Sequence, residues 1–416
     1  MNPLPEACAP INIDNVRALR MAGRAPEAQA MLRQLVRLPD RGGVWPGQIG
    51  IDMDYLGMYA EAEPWLRRGL LHPMTDVVRY QLTEELILVL MSRGKYHEAQ
   101  ELHRINRDAG RGEPLLETLF RGDRQWVDRL IPKLLGIDEA VAGKSIFLLL
   151  EGGFGDFVLF SRYVDALLRD GAREVVIEIP DSWIEVVRAR DRVRLVPSTP
   201  ERRAAESEAC NRFATVFHLW ARYQASPFFP QENPAALIQL NAAKRLPSEA
   251  SALLEAEPSR ANVGLIWRSA SGVRHEPYRS MQLAHLADVL ANTDCRFYSL
   301  QVGESSEAER ALMCGPHGVT DLAPYLHSFA DTGRVFEQLD LIISVDTGPA
   351  HLAAALNRPV WLLLSQACDC RWYDSQRFTP WYPSARLYRQ TQLGDWSHAL
   401  TDLRADLARF AASRRV

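Results

Sequence analysis

Residues 144–179 read KSIFLLLEGGFGDFVLFSRYVDALLRDGAREVVIEI, and this stretch decides the fold. Ser145–Leu150 is a short, continuous apolar run, the pattern of a strand buried on both faces of a parallel sheet. A glycine-rich turn follows, then a helical stretch over Phe157–Arg169, then a second apolar run over Glu174–Ile179. Strand, helix, strand is a βαβ unit. Working outward, further apolar runs fall at Val193–Val196 and Ala214–Leu219. A polar, proline-bearing stretch from Pro227 to Arg260 then interrupts the alternation and reads as a domain boundary. The alternation resumes with expected strands at Val263–Trp267, Arg296–Leu300, Leu341–Val345 and Val360–Leu364. Expected helices at Leu283–Leu290, Glu307–Met313, Arg334–Gln338 and Ala350–Leu356 lie between or after them. Two doubly wound, Rossmann-like halves joined by a linker make a cleft at the carboxyl ends of their strands.

Upstream of Lys144 the pattern is a repeat. Gly23, Gly57 and Gly94 are each followed by Glu and Ala at offsets of four and five, giving Glu27-Ala28, Glu61-Ala62 and Glu98-Ala99. The glycines lie 34 and 37 residues apart, close to the tetratricopeptide period. Each follows one amphipathic stretch (Val16–Met21, Gln48–Leu56, Tyr80–Met91) and precedes another (Ala28–Val36, Ala62–Leu70, Ala99–Ile105). Helix, glycine turn, helix therefore resembles about three tetratricopeptide-like units, with a plain helical bundle as the alternative. The expected division is a helical domain over residues 1–140, a first Rossmann-like domain over 141–250 and a second over 251–416. A repeat array is a surface for a protein partner or for self-association rather than a source of chemistry.

Composition narrows the function classes. The 416 residues carry 47% hydrophobic and 24% charged side chains, ordinary for a soluble globular chain. A formal charge of −4 gives no bulk attraction to nucleic acid or anionic membrane. The first residues, MNPLPEACAPINIDN, lack the basic and apolar regions of a secretory signal. Apolar runs such as Leu86–Met91 fall short of the ~20 residues that span a bilayer. Six cysteines make no disulfide framework, and Cys368-Asp369-Cys370 has no second pair to complete a metal site. The expectation is a cytoplasmic protein with reduced thiols.

Three constellations face the expected cleft. The first is Glu151-Gly-Gly153-Phe-Gly155-Asp156, between a strand and a helix. Its glycines allow a tight turn, and Asp156 at a helix start is a positioned carboxylate able to take a proton from an acceptor; an ordinary N-cap is the alternative. The second is Ser344-Val-Asp346-Thr347-Gly348-Pro349-Ala-His351. Amides at the helix start suit a diphosphate, Pro349 loses no needed donor there, and His351 can donate to a phosphate or leaving oxygen. The third is Trp267-Arg268, His275, Arg279-Ser280 and Gln301-Val-Gly303-Glu304. Arginines there suit bidentate phosphate binding, and Glu304 suits ribose hydroxyls; solvated loop charges are the alternative.

Taken in this order, GGFGD, VGLIWR…H…YRSM, SLQVGE, ISVDTGPAHLAAALNRPVW and CRWYDSQRFTPWYPSARLYRQ resemble the heptosyltransferase-like family, glycosyltransferase family 9, in its branch linked to tetratricopeptide repeats. The resemblance spans residues 145–400 and implies the GT-B fold. It implies Asp156 as base, with Asp346, Thr347, Gly348 and His351 on the nucleotide diphosphate and Glu304 on ribose. Arg268 and Arg279 take the phosphate-neutralising role. Gly153, Gly155, His275 and Trp372 are further candidates on the acceptor or donor loops. Two departures, an Arg where heptosyltransferases often carry a donor-binding Lys and repeats in place of a membrane-facing segment, bear against an ADP-heptose donor and a lipopolysaccharide acceptor.

The expected reaction is inverting transfer from a nucleotide-diphosphate sugar by single displacement. No Asp-x-Asp pair stands at a strand end in the catalytic part, so neither metal nor cofactor is invoked. The expected partners are the nucleotide sugar and a protein acceptor recruited by the repeats, flagellin or another surface protein by analogy, with homo-oligomerisation open. The rival readings are a non-catalytic scaffold with a nucleotide-sensing half and a nucleotide-sugar epimerase. Asp156, on the half opposite the donor loop, is expected to leave nucleotide affinity untouched.

Overall fold

The computed structural model describes residues 10–224, 237–242, 244–254, 260–269, 275–315, 318–372 and 377–413. Six helices open the chain as three pairs: α1 (Ile13–Met21) with α2 (Ala25–Leu35), α3 (Pro46–Tyr55) with α4 (Tyr59–Leu70), and α5 (Asp76–Ser92) with α6 (Tyr96–Arg107). Each pair closes through one kind of turn. Gly23, Gly57 and Gly94 take φ of +77°, +69° and +71°, a left-handed conformation in which a Cβ is strained. The amide after each glycine then bonds the carbonyl five residues back (Arg24 to Leu19, Met58 to Met53, Lys95 to Leu90). The repeated Ala28, Ala62 and Ala99 are fully buried, so a larger side chain would push the paired helices apart. The repeated acid joins units: Arg33 reaches Glu61 and Arg67 reaches Glu98, both at 2.6 Å, while Glu27 in the first unit pairs with Arg24. Short helices α7 (Gly112–Leu119) and α8 (Arg124–Leu130) lead into the sheets.

The first sheet is all parallel, in the order β3 (Val193–Pro197), β2 (Glu174–Ile179), β1 (Ser145–Leu149), β4 (Arg212–Thr215). Its helices are α9 (Phe154–Phe160), α10 (Val164–Arg169), α11 (Pro200–Ala209) and α12 (Val216–Tyr223). The single helix expected over Phe157–Arg169 is two, broken by a 3-10 turn at Ser161–Tyr163. The break carries buried Arg162, which donates to the carbonyls of Leu159 and Trp381. The apolar run Ala214–Leu219 is likewise divided, because Thr215 ends β4 and its hydroxyl caps α12 by accepting the His218 amide. Of the expected boundary stretch, Ile238 bridges to Val187 and Ser248–Leu253 forms α13, while 227–236, 243 and 255–259 lie outside the described residues.

The second sheet is also all parallel, ordered β10 (Ala385–Arg389), β9 (Val360–Leu364), β8 (Leu341–Val345), β5 (Ala261–Ile266), β6 (Cys295–Ser299), β7 (Val319–Asp321). Its helices are α14 (Ala287–Leu290), α15 (Glu307–Met313), α16 (Phe329–Glu337), α17 (Gly348–Ala355) and α18 (Ser397–Ala412). The expected helix at Leu283–Leu290 begins as a 3-10 turn over Leu283–Leu286, and α16 starts before its expected residues. Two parallel sheets with a cleft between them make a GT-B-like arrangement. One hydrophobic core runs without a break from Val16 and Leu19 in α1 through β1 and β2 to β9, so the helical region is packed onto the sheets.

Candidate active site

Two loops meet across the cleft. The first leaves β1 and turns at Gly152, where φ is +80° and an added Cβ would lie 2.5 Å from Asp156 Oδ2. Glycine alone fits there. Asp156 folds back over this turn, and its Oδ2 accepts the Gly153 amide at 2.7 Å. The carboxylate is thereby fixed in the first turn of α9. The second loop leaves β8 through Asp346 and Thr347 into α17. Thr347 caps α17: its hydroxyl accepts the Ala350 amide and its carbonyl the His351 amide. Pro349 has no amide hydrogen, so Gly348 N–H is the first-turn donor left for a ligand.

These loops touch. An added Cβ on Gly155 would lie 2.7 Å from His351 Cδ2, and the Phe154 ring stacks on Phe329 at 3.8 Å between centroids. His351 itself is buried and pinned. Its Nδ1 meets the Tyr382 hydroxyl at 2.9 Å, its Nε2 lies 3.7 Å from Asp346 Oδ1, and its ring stacks on Trp372 at 5.1 Å. Burial disfavours the imidazolium and lowers the His351 pKa, with Asp346 offsetting only part of the shift. The ring is neutral at pH 7, able to donate or accept one hydrogen bond but holding no proton to release as an acid.

Two guanidiniums and three carboxylates complete the centre. Arg279 donates from Nε to the Asp346 carbonyl at 2.7 Å and sets Nη2 3.1 Å from Asp346 Oδ2. Arg371 grips Asp369 with Nε at 2.8 Å and Nη2 at 2.9 Å, and the same Nη2 lies 2.6 Å from Asp156 Oδ1. Burial alone would push the Asp346 and Asp369 carboxyls up; Arg279 beside the first and Arg371 beside the second hold both well below the usual carboxylate range. Burial works against charge on Arg371 too, but Asp156 and Asp369 keep it firmly protonated.

The cleft between the loops measures ≈ 480 Å³. Of the residues expected from sequence, Gly153, Gly155, Asp156, Arg268 and Arg279 line it, as do Thr347, Gly348, Pro349 and His351. Asp346 and Trp372 stand behind this wall, buried against His351, so neither is placed to touch a ligand. His275 is buried at φ +67°, and its carbonyl accepts the Tyr278 and Arg279 amides, shaping the turn that presents Arg279. Glu304 is exposed and lies off the wall; its carbonyl accepts Arg268 Nη2, while Arg268 Nη1 pairs with the buried Glu309. Gln301 lines the cleft instead, its side-chain oxygen accepting the Trp267 and Arg268 amides. Sequence reasoning missed Arg371 and Asp369, although both fall in or beside the CRW segment quoted for the resemblance. Among the described residues no cluster of three or more His, Cys, Asp or Glu is arranged to hold a metal, and no helix is long and apolar enough to cross a membrane.

The helical pairs brace three segments that lead to cleft residues: the Asp156 turn, the stretch before Arg371 and the turn before Arg279. Arg107 of α6 is buried between Glu84 and Glu151, at 2.8 and 2.7 Å, and Glu151 opens the turn that carries Asp156. The Tyr59 hydroxyl donates to the Cys368 carbonyl at 3.3 Å, and Gly57 lies against Ala367. Arg20 donates to the Glu276 carbonyl at 2.9 Å, and the Tyr55 ring meets that of His275.

Comparison with known proteins bears on this geometry. Residues 199–390 match the model of glycosyltransferase family 9 (heptosyltransferase), a span that holds Arg279, Asp346 to His351 and Arg371 but not Asp156. Protein FlbA of Caulobacter vibrioides is 26% identical over 313 residues, covering 68% of this chain and 49% of its own length, so the chain spans about half of that curated relative. Among solved structures, the ADP-heptose lps heptosyltransferase II of E. coli is 15% identical with a TM-score of 0.44, covering 65% of this chain and 100% of that one. The glycosyl transferase family 9 protein of Veillonella parvula DSM 2008 is 11% identical with a TM-score of 0.43, covering 67% of this chain and 99% of that one. Both structural likenesses are distant; what matches glycosyltransferase family 9 (heptosyltransferase) is residues 199–390, a little under half of the chain, and that span carries most of the cleft lining.

Proposed function

We propose that the chain is an inverting, metal-independent glycosyltransferase that moves a sugar from a nucleotide-diphosphate donor to a protein acceptor. One observation carries the reading. Asp156 on the first half and Arg279, Gly348 and His351 on the second line one cleft, opposite one another. Asp156 takes the proton of the attacking hydroxyl or amide. The departing diphosphate is met by guanidinium groups, by the Gly348 amide and by one N–H of the neutral His351, a preorganised set aimed at charge that develops in the transition state. The donor's charge is balanced by arginines, so the proposal needs no metal. Asp346 acts by holding Arg279 and His351 in place. Glu304, beside Arg268 at the outer edge, is the proposed ribose acceptor.

The helical pairs are proposed as tetratricopeptide-like units that hold the acceptor, a surface protein such as flagellin, in the cytoplasm. Their direct bracing of the cleft loops supports a role in presenting acceptor to the site. Incubation with a panel of nucleotide sugars tests the reading. Release of nucleoside diphosphate with formation of a sugar–protein bond is expected. Binding without release would favour a nucleotide-sensing scaffold, and interconversion of the sugar on its nucleotide would favour an epimerase; either result overturns the proposal.

A further inference from the structure

Asp156 is not placed as a bare base. Oδ2 accepts the Gly153 amide, and Oδ1 is buried against Nη2 of Arg371 at 2.6 Å. A hydroxyl approaching Oδ1 must first displace that guanidinium. Arg371 is anchored on its other side by two contacts to Asp369, and its backbone carbonyl is held by Trp381 Nε1 at 2.7 Å. Its side chain still lines the cleft that holds Arg279, Gly348 and His351. One cation thus stands between the carboxylate of the first half and the anion-binding groups of the second.

We propose that Arg371 is a donor-binding residue shared between two anions, Asp156 and the diphosphate of the nucleotide sugar. This inference rests on the donor site proposed above. A diphosphate presents several anionic oxygens to a planar fork of donors and competes with a single carboxylate oxygen for Nη2. When the diphosphate takes Nη2, Oδ1 of Asp156 is uncovered and becomes available to the acceptor's proton. Asp369 keeps the guanidinium tethered through the exchange. Donor binding therefore precedes productive acceptor binding, and a base without donor stays covered, which suppresses wasteful proton transfer. The reach of Asp156 across the cleft to Arg371 revises the sequence expectation that nucleotide affinity is indifferent to Asp156.

The test uses ADP, GDP, UDP and CDP as probes in titration calorimetry with the full chain. Asp156→Asn removes the competing charge while keeping an acceptor for the Gly153 amide, so the best nucleotide should bind tighter, by about three- to tenfold. Arg371→Met should bind it about ten- to a hundredfold more weakly, the range for losing a hydrogen bond to a charged group, and Arg371→Lys should fall between. In the Arg371→Met background Asp156→Asn should change nothing, because the shared partner is gone. Weaker or unchanged binding in Asp156→Asn overturns the proposal. Equal tightening in both backgrounds also overturns it, since it would report repulsion between Asp156 and phosphate without Arg371. If Arg371→Met fails to fold by circular dichroism, the sign of the Asp156→Asn effect together with Arg371→Lys still decides. A wild-type chain that binds none of the four nucleotides removes the donor site itself, a failure distinct from these.

Discussion

Replacing Arg107 by Met tests whether the helical region and the cleft are one structure. Arg107 is 3% exposed and is the cation shared by Glu84 at 2.8 Å and Glu151 at 2.7 Å, while Asn106 donates to Glu84 and the Thr215 hydroxyl to Glu151. Met keeps the length and apolar character of the stem, including its packing near Phe217, but leaves two carboxylates without the cation they share. Breaking a buried pair in this way costs about 3–5 kcal/mol. Glu84 and Glu151 retain 24% and 17% side-chain exposure, so water relieves part of the charge, and about 3 kcal/mol is expected. Urea unfolding followed by circular dichroism and tryptophan fluorescence gives the midpoint and slope from which this is read. The triple variant Arg107→Met, Glu84→Gln, Glu151→Gln removes the whole charge cluster and should recover to within about 1 kcal/mol of the native chain. A loss below about 1 kcal/mol in the single variant, or no recovery in the triple, would refute the account of α6 as a charged brace on the Asp156 turn.

Three further outcomes follow from the same geometry. Gly155→Ala sets a Cβ 2.7 Å from an imidazole already pinned by Tyr382 and Trp372, so a loss of about 1–3 kcal/mol is expected in chemical unfolding, and none would mean that His351 moves freely. Burial pushes His103 and His218 down to about 3, below their unfolded value near 6.5, so the native chain holds fewer protons than the unfolded one between these values. Their stabilising effect is complete above pH ~6.5 and is lost as pH falls, by up to about 1.4 kcal/mol per unit for each histidine, ahead of the carboxylates; a urea midpoint that stays level from pH 7 to 5 would contradict this. Arg279→Ala should weaken nucleotide binding by about 1.5–3 kcal/mol, and unchanged affinity in calorimetry would remove Arg279 from the donor site.

The buried strands were legible because a central parallel strand writes itself as a largely apolar run, as β1 and β9 do and as β2 and β8 do with one buried polar residue each, Glu178 and Ser344. β7 has three residues and β10 reads ARLYR at a sheet edge, so neither stands out by periodicity. The glycines were legible as well, since φ near +70° at Gly23, Gly57 and Gly94 is a demand that few other residues meet. The Asp156 turn and the α17 loop follow strand ends and were readable for that reason. Arg371 was not. Its meaning lies in a contact with Asp156 more than two hundred positions earlier, and no local spacing encodes such a pairing. The same holds for Asp369, hidden inside a Cys-Asp-Cys triplet whose thiols drew attention while its carboxylate carries the contact. Glu304 stands exposed off the cleft wall and meets Arg268 only through its backbone carbonyl, while the Arg268 side chain pairs with Glu309, an arrangement that packing and not local spacing sets.

The central claim is that Asp156 performs proton abstraction in a sugar transfer. It is tested most directly by the turnover rate of Asp156→Asn against the native chain. Nucleoside diphosphate release is followed at saturating nucleotide sugar, with a protein extract as acceptor. Asn keeps the size of the side chain and an acceptor for the Gly153 amide but cannot take the proton, so turnover should fall by a factor of about 10² or more. Transfer at close to the native rate would contradict the account and leave Asp156 as a helix cap.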